Sequence, residues 1–111
     1  MNTDQITCYH AHVYYDEASK PAAAALRDAI AHGFEVDLGR WHDNPVGPHP
    51  CGSYQVAFAP EQFATLVPWL ALNRGDLDLL IHPDTGNDLE DHTAHVIWLG
   101  KNYPLNLDAL R

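Results

Sequence analysis

The stretch from Thr7 to Tyr15, TCYHAHVYY, limits the possible folds of this chain more than any other. It alternates and is rich in aromatic and β-branched residues, which is the pattern of a strand. Side chains on a strand point to opposite faces in turn. One face therefore carries Tyr9, Ala11, Val13 and Tyr15, and the other carries Cys8, His10, His12 and Tyr14. The first face is expected to meet helices, and the second brings two imidazoles to one side of a sheet.

The rest of the chain supplies partners for that strand. Ser19 as N-cap, Pro21 in the first turn and a stripe from the alanines through Leu26 and Ile30 predict a helix, with Gly33 as its stop after His32. Phe34 to Trp41 alternates and reads as a second strand. His42 to Pro50 holds three prolines and a glycine, so it reads as a stiff loop. A third strand is expected from about Cys51 to Ala59, with Tyr54, Val56 and Phe58 on one face. A second helix should start near Pro60, present Phe63, Leu66, Val67 and Leu70, bend at Pro68 and end at Gly75. Leu77 to His82 reads as a fourth strand, and Pro83 to Glu90 as a polar turn region. Asp91-His92-Thr93 reads as the cap of a short element leading to Trp98 and Leu99, and the tail to Arg111 has no assignment.

This βαββαβ order predicts an α+β, ferredoxin-like sandwich of one domain, residues 1–111, with strand order 4-1-3-2 and both helices on one face. The first and third strands are expected to run parallel and the fourth antiparallel beside the first. The start of the first strand, the start of the third and the end of the fourth would then share an edge, together with Arg40, Trp41 and His42. His10, His12, His49 and His82 would converge there on the helix-free face.

Composition removes several function classes. Fifteen acidic residues against six basic give a net charge of −9, which disfavours phosphate backbones and anionic membrane surfaces. No apolar run approaches a membrane span, and the polar Met1 to Gln5 does not look like a signal peptide, so the cytoplasm is the expected location. Two cysteines are too few for a disulfide scaffold and read as semi-buried thiols. The small core such a chain can build makes dimerisation a cheap way to cover more apolar surface.

Eight histidines in 111 residues is the abnormal entry in the composition. Imidazole suits Fe(II), Zn(II) or Cu(II), and a catalytic ion needs open positions, so three of His10, His12, His49 and His82 are expected to ligate while the fourth supports them or shuttles protons. Taken singly, a strand histidine is more often a satisfied polar group than a ligand; convergence of four weakens that reading. His32 reads as a complement to the helix dipole, and His42 and His95 as surface or rim residues. His92 admits two readings, since Asp91 could orient its ring or the pair could start a short helix. Arg74 is either a partner for helix-end carbonyls or a binder of a substrate carboxylate.

In order and spacing, His10-Ala11-His12-Val13-Tyr14-Tyr15, Pro45-Val46-Gly47-Pro48-His49-Pro50, Leu72-Asn73-Arg74-Gly75, His82-Pro83-x-Thr85-Gly86, Asp91-His92-Thr93 and Trp98-Leu99-Gly100 resemble the DOPA 4,5-dioxygenase family. The similarity runs from about Tyr9 to Leu105. It implies a ferredoxin-like fold, a homodimer, and a non-haem Fe(II) enzyme that uses O₂ to cleave a catechol, DOPA or a relative, beside its two hydroxyls. Zinc is expected to replace iron readily during purification. A histidine free of the ion, His12 or His92, would handle the catechol proton. Tyr14, Trp41 and Tyr54 would stack on the small aromatic substrate, and Arg74 or Arg40 would pair with its carboxylate. A carboxylate ligand, if used, would come from Asp84, Asp88, Glu90 or Asp91. The alternatives are a non-catalytic dimeric module that binds a metal or a small aromatic ligand, and a zinc hydrolase or isomerase on the same histidines.

Overall fold

In the computed structural model, which describes residues 1–111, the alternating segment becomes β1 (Cys8–Tyr15), the middle strand of a five-stranded sheet. β3 (Gly52–Phe58) and β4 (Asp78–Asp84) flank it, and both are antiparallel to it. β2 (Asp37–Leu38) borders β3, and β5 (Ile97–Leu99) borders β4. The sheet order is β2-β3-β1-β4-β5, the expected 4-1-3-2 arrangement with one strand added. α1 (Lys20–Gly33) and α2 (Phe63–Asn73) cover one face, and α3 (Asp88–Asp91) is a single turn after β4.

The core follows side-chain parity. Ala11, Val13 and Tyr15 of β1, Tyr54, Val56 and Phe58 of β3, and Leu79 and Ile81 of β4 pack against Ala23, Leu26 and Ile30 of α1 and Leu66 and Leu70 of α2. Burying aliphatic side chains like these contributes ~1.5–3 kcal/mol each, and so the helices settle on this face. The opposite face is left to Cys8, His10, His12 and Tyr14.

The expected parallel pairing of the first and third strands does not occur. The crossover through α1 brings β2 back parallel to β1, and the chain then reverses into β3. β3 must therefore oppose β1, and Gly52 lies beside Tyr15 rather than Cys8. The second strand is also shorter than expected, only Asp37 and Leu38. Aromatic contacts claim its ends: Phe34 packs on Trp69 with ring centres 5.2 Å apart, and Trp41 packs on Tyr15 and Tyr54.

Helix ends differ from expectation in detail. Ser19 precedes α1 but does not cap it, since its hydroxyl accepts from the Asp16 amide at 2.9 Å while Asp16 Oδ1 accepts from the Ser19 amide at 2.8 Å. Gly33 stays helical, and the chain leaves α1 at the extended Phe34. A single 3-10 turn, Pro60–Gln62, precedes α2, which runs through Pro68, and Gly75 at φ 59° turns the chain out of it. The segment at Trp98 and Leu99 forms a fifth strand that the sequence reading did not include: Ile97, Trp98 and Leu99 pair with Ile81, Leu80 and Leu79.

Gly52 is a tight point in this frame. A Cβ there would lie 2.9 Å from both the carbonyl oxygen and the ring of Tyr15. Gly52→Ala should cost about 1–3 kcal/mol as an overpacking change. The urea midpoint of unfolding, followed by tryptophan fluorescence, checks this.

Candidate metal centre

Five imidazoles meet on the helix-free face, delivered by four different parts of the fold. β1 supplies His10 and His12, and β4 supplies His82, which lies directly opposite His10. His49 comes from the loop before β3. Because Gly52 sits beside Tyr15, that loop must double back over the sheet to bring His49 to His12. Gly47 at φ 55° and the bond from the His49 amide to the Val46 carbonyl, 3.0 Å, make the reversal, and the Asn106 amide holds the Pro48 carbonyl at 2.9 Å. His92 comes from the turn after α3. Ring centres are 4.1 Å apart for His12 and His49, 4.0 Å for His82 and His92, and 5.1 Å for His10 and His82.

Hydrogen bonds fix how several rings are presented. His82 Nδ1 donates to the Pro83 carbonyl at 2.8 Å and His92 Nδ1 to the Asp88 carbonyl at 2.7 Å, which leaves Nε2 of each as a lone-pair donor. Tyr14 reaches His49 Nδ1 through its hydroxyl at 2.7 Å. His12 Nε2 and His82 Nε2 face each other at 3.1 Å. Two nitrogens bound to one ion at ~2.1 Å lie about 3.0–3.4 Å apart, depending on the ligand angle. Two triads satisfy a common-ion geometry, His10–His12–His82 and His12–His49–His92, and His12 belongs to both.

Burial dominates the electrostatics. It pushes His12 well below the ordinary imidazole value and takes His49 and His82 down to about 4, and each neighbouring imidazole opposes protonation of the next. His12, His49 and His82 are therefore neutral near pH 7, which keeps their lone pairs free for a cation. His12, His49, His82 and His92 are all buried. A cavity of about 210 Å³, lined by His12, His42, His49, Ser53 and Gln55, opens beside them. A larger depression of about 620 Å³ lies along β2 and β3, but Cys8 is its one metal-binding neighbour near the cluster and it has no convergent donors.

The other expected site residues fall elsewhere. Trp41 and Tyr54 lie on the helix face, 4.9 Å apart between ring centres, and the Tyr54 hydroxyl donates to the Ala23 carbonyl at 2.8 Å. Strand parity separates them from the histidines. Arg40 is exposed in the chain after β2. Arg74 donates to the Leu77 carbonyl at 2.8 Å, so it braces the turn that leads from α2 into β4. Five strand residues, roughly 16 Å, separate Leu77 from His82. Tyr14 is buried on the histidine face, where its hydroxyl is spent on His49.

Asp91 does not orient His92. Its carboxylate accepts from the Thr85 amide, the Thr85 hydroxyl and His95 Nδ1, at 2.8, 2.7 and 2.8 Å, tying the end of β4 to α3. Sequence reasoning did not find Tyr103, which donates to Asp78 at 2.7 Å and leans edge-on against Tyr14. The shared parity of Tyr14 with His10 and His12 was the available signal for its role; Tyr103 had none.

Three comparisons bear on this site. A "DOPA 4,5-dioxygenase" of Amanita muscaria is 38% identical over 115 residues, which covers 96% of this chain and 50% of that protein. An "Uncharacterized 21.2 kDa protein" of Botryotinia fuckeliana is 35% identical over 93% of this chain and 63% of its own length. The chain thus spans only half to two thirds of these relatives. A crystal structure of a "putative dioxygenase" from Nostoc punctiforme PCC 73102 superposes with a TM-score of 0.99 at 52% identity, covering all of this chain and 96% of that one. The sequence profile described as "Dopa 4,5-dioxygenase family" matches residues 9–109, a span that holds every histidine of the cluster; this chain belongs to that family.

Proposed function

We propose that this chain is an extradiol dioxygenase that opens the ring of a catechol, DOPA or a related catecholic acid, beside its two hydroxyls. O₂ is the co-substrate and Fe(II) the resident ion. The observation that carries the reading is the group of buried, neutral imidazoles around His12, with His12 and His82 nitrogens 3.1 Å apart. Such a donor set suits a divalent first-row cation and contributes no negative charge of its own. His12 would hold the ion with His10 and His82 or with His49 and His92. Bound there, the ion would supply a chelating centre that lowers the catechol hydroxyl pKa and brings both substrates together.

The chain's own residues do the rest. The cavity under the His42–His49 loop gives the ring a place against His12 and Gln55. A histidine outside the occupied triad accepts the second catechol proton at Nε2, a role that the carbonyl-anchored His82 and His92 are set up to play. Tyr14 holds His49 in register. Where the His12–His49–His92 triad holds the ion, Tyr14→Phe should lower Fe(II) affinity by ~10–100-fold, the usual penalty for losing a hydrogen bond behind a ligand. Calorimetric titration under anaerobic conditions checks this.

The direct test is oxygen uptake by Fe(II)-reconstituted protein offered DOPA and simpler catechols. Ring opening should yield a yellow semialdehyde with one O₂ consumed per ring. A protein that binds Fe(II) and catechol yet consumes no oxygen would instead be a non-catalytic binding module.

A further inference from the structure

A second set of donors lies just outside the histidine cluster, on the same two strands. The β1–β4 register sets Cys8 opposite Asp84 and His10 opposite His82. Cys8 and His10 share the open face. The Cys8 sulfur is 3.8 Å from His10 Nε2 and 4.0 Å from Asp84 Oδ2, and all three donor atoms lie within 4.8 Å of one another. Thiolate and imidazole on one tetrahedral ion, at ~2.3 and ~2.1 Å, stand about 3.6 Å apart, and thiolate and carboxylate about the same. The observed separations exceed this by only a few tenths of an ångström, within rotamer adjustment. The three residues are half-buried, so a fourth position stays open to water.

From this the geometry points to an accessory site for a thiophilic divalent cation of the Zn(II) class, formed by Cys8, His10 and Asp84 at the sheet end of the histidine cluster. The site is chemically distinct from its neighbour. The inner group is all imidazole, while this one combines a sulfur, a nitrogen and a carboxylate, and so selects a softer ion and contributes negative charge. Binding would release the thiol proton to solvent. His10 also belongs to one inner triad, so filling the outer site leaves His12, His49 and His92 as the inner one. The proposal does not rest on the catalytic reading.

Co(II) titration of the reduced full chain, under argon, tests it. Wild type should develop the near-ultraviolet absorption of a thiolate–Co(II) bond and bind one more ion per chain than Cys8→Ser, which should lose that absorption completely. Asp84→Asn should weaken the thiolate-bearing site ~10-fold or more. Cys51→Ser and His49→Ala should both keep the absorption, since neither residue belongs to the set. Absence of the thiolate band in wild type, or its persistence in Cys8→Ser with an unchanged circular dichroism spectrum, overturns the assignment. Loss of ring opening in any of these proteins would speak to the inner cluster alone.

Discussion

His12→Ala is expected to strip the protein of its catalytic ion and to lower ring opening by more than ~100-fold. Loss of a hydrogen bond behind a ligand already costs ~10–100-fold in affinity or activity, and loss of the ligand shared by both possible triads must cost more. The variant should still fold. The His12 side chain makes no hydrogen bond except the one to His82 Nε2, and Ala11 and Val13 on the other face of β1 supply the packing. Metal analysis after anaerobic reconstitution, with oxygen uptake on the same sample, makes the measurement. Full iron content in folded His12→Ala would end the proposed site. Single alanines at His49 and His82 then tell which triad is filled, because each removes a member of only one.

The second large effect is a loss of stability of the metal-free protein in acid. His49 and His82 stay neutral in the folded chain down to about pH 4, whereas in the unfolded chain they protonate near the ordinary value of 6.5. Between those limits the unfolded state binds more protons, so stability is complete above pH ~6.5 and declines as pH falls toward 4. Each group accounts for a few kcal/mol, on the order of 1.4 per pH unit of separation. For a chain of this size that is a large share of the total. Urea unfolding between pH 7.5 and 4, with Tyr14, Tyr103 and the tryptophans as reporters, should trace the decline. His49→Asn combined with His82→Asn should make it shallower, with His12 supplying most of what remains. A saturating divalent cation should oppose it, since an ion at 100 times its Kd adds ~2.7 kcal/mol and competes with protons for the same lone pairs. An acid profile as steep in the double variant as in wild type would mean that other groups govern it.

The location of the cluster was legible because period-two patterns are local. Cys8, His10, His12 and Tyr14 share a face by parity alone, and His82 is placed by the same rule once β4 lies beside β1. The fold class came from the succession of strand and helix patterns. Strand direction was misjudged, yet the histidines still met, because the His49 loop folds back over the face instead of meeting them at a sheet edge shared with the start of β3. Arg40 and Trp41 were assigned to substrate because the expected topology put the end of the second strand at the histidine edge. Trp41 and Tyr54 went to the core because their rings cover more apolar surface against Tyr15 and α1 than the open face offers.

The sequence by itself determined an α+β sheet with a histidine-bearing face opposite its helices, since burial of alternate apolar side chains admits no other sorting of β1. It also determined the family. Only the tertiary structure decided that five imidazoles meet, His92 among them; that Tyr14 serves His49; that Arg74 braces the turn from α2 into β4; and that Asp91 braces Thr85 and His95. Each of these depends on two chain segments far apart in sequence, brought together by the fold and then selected by hydrogen bonds that no local pattern encodes.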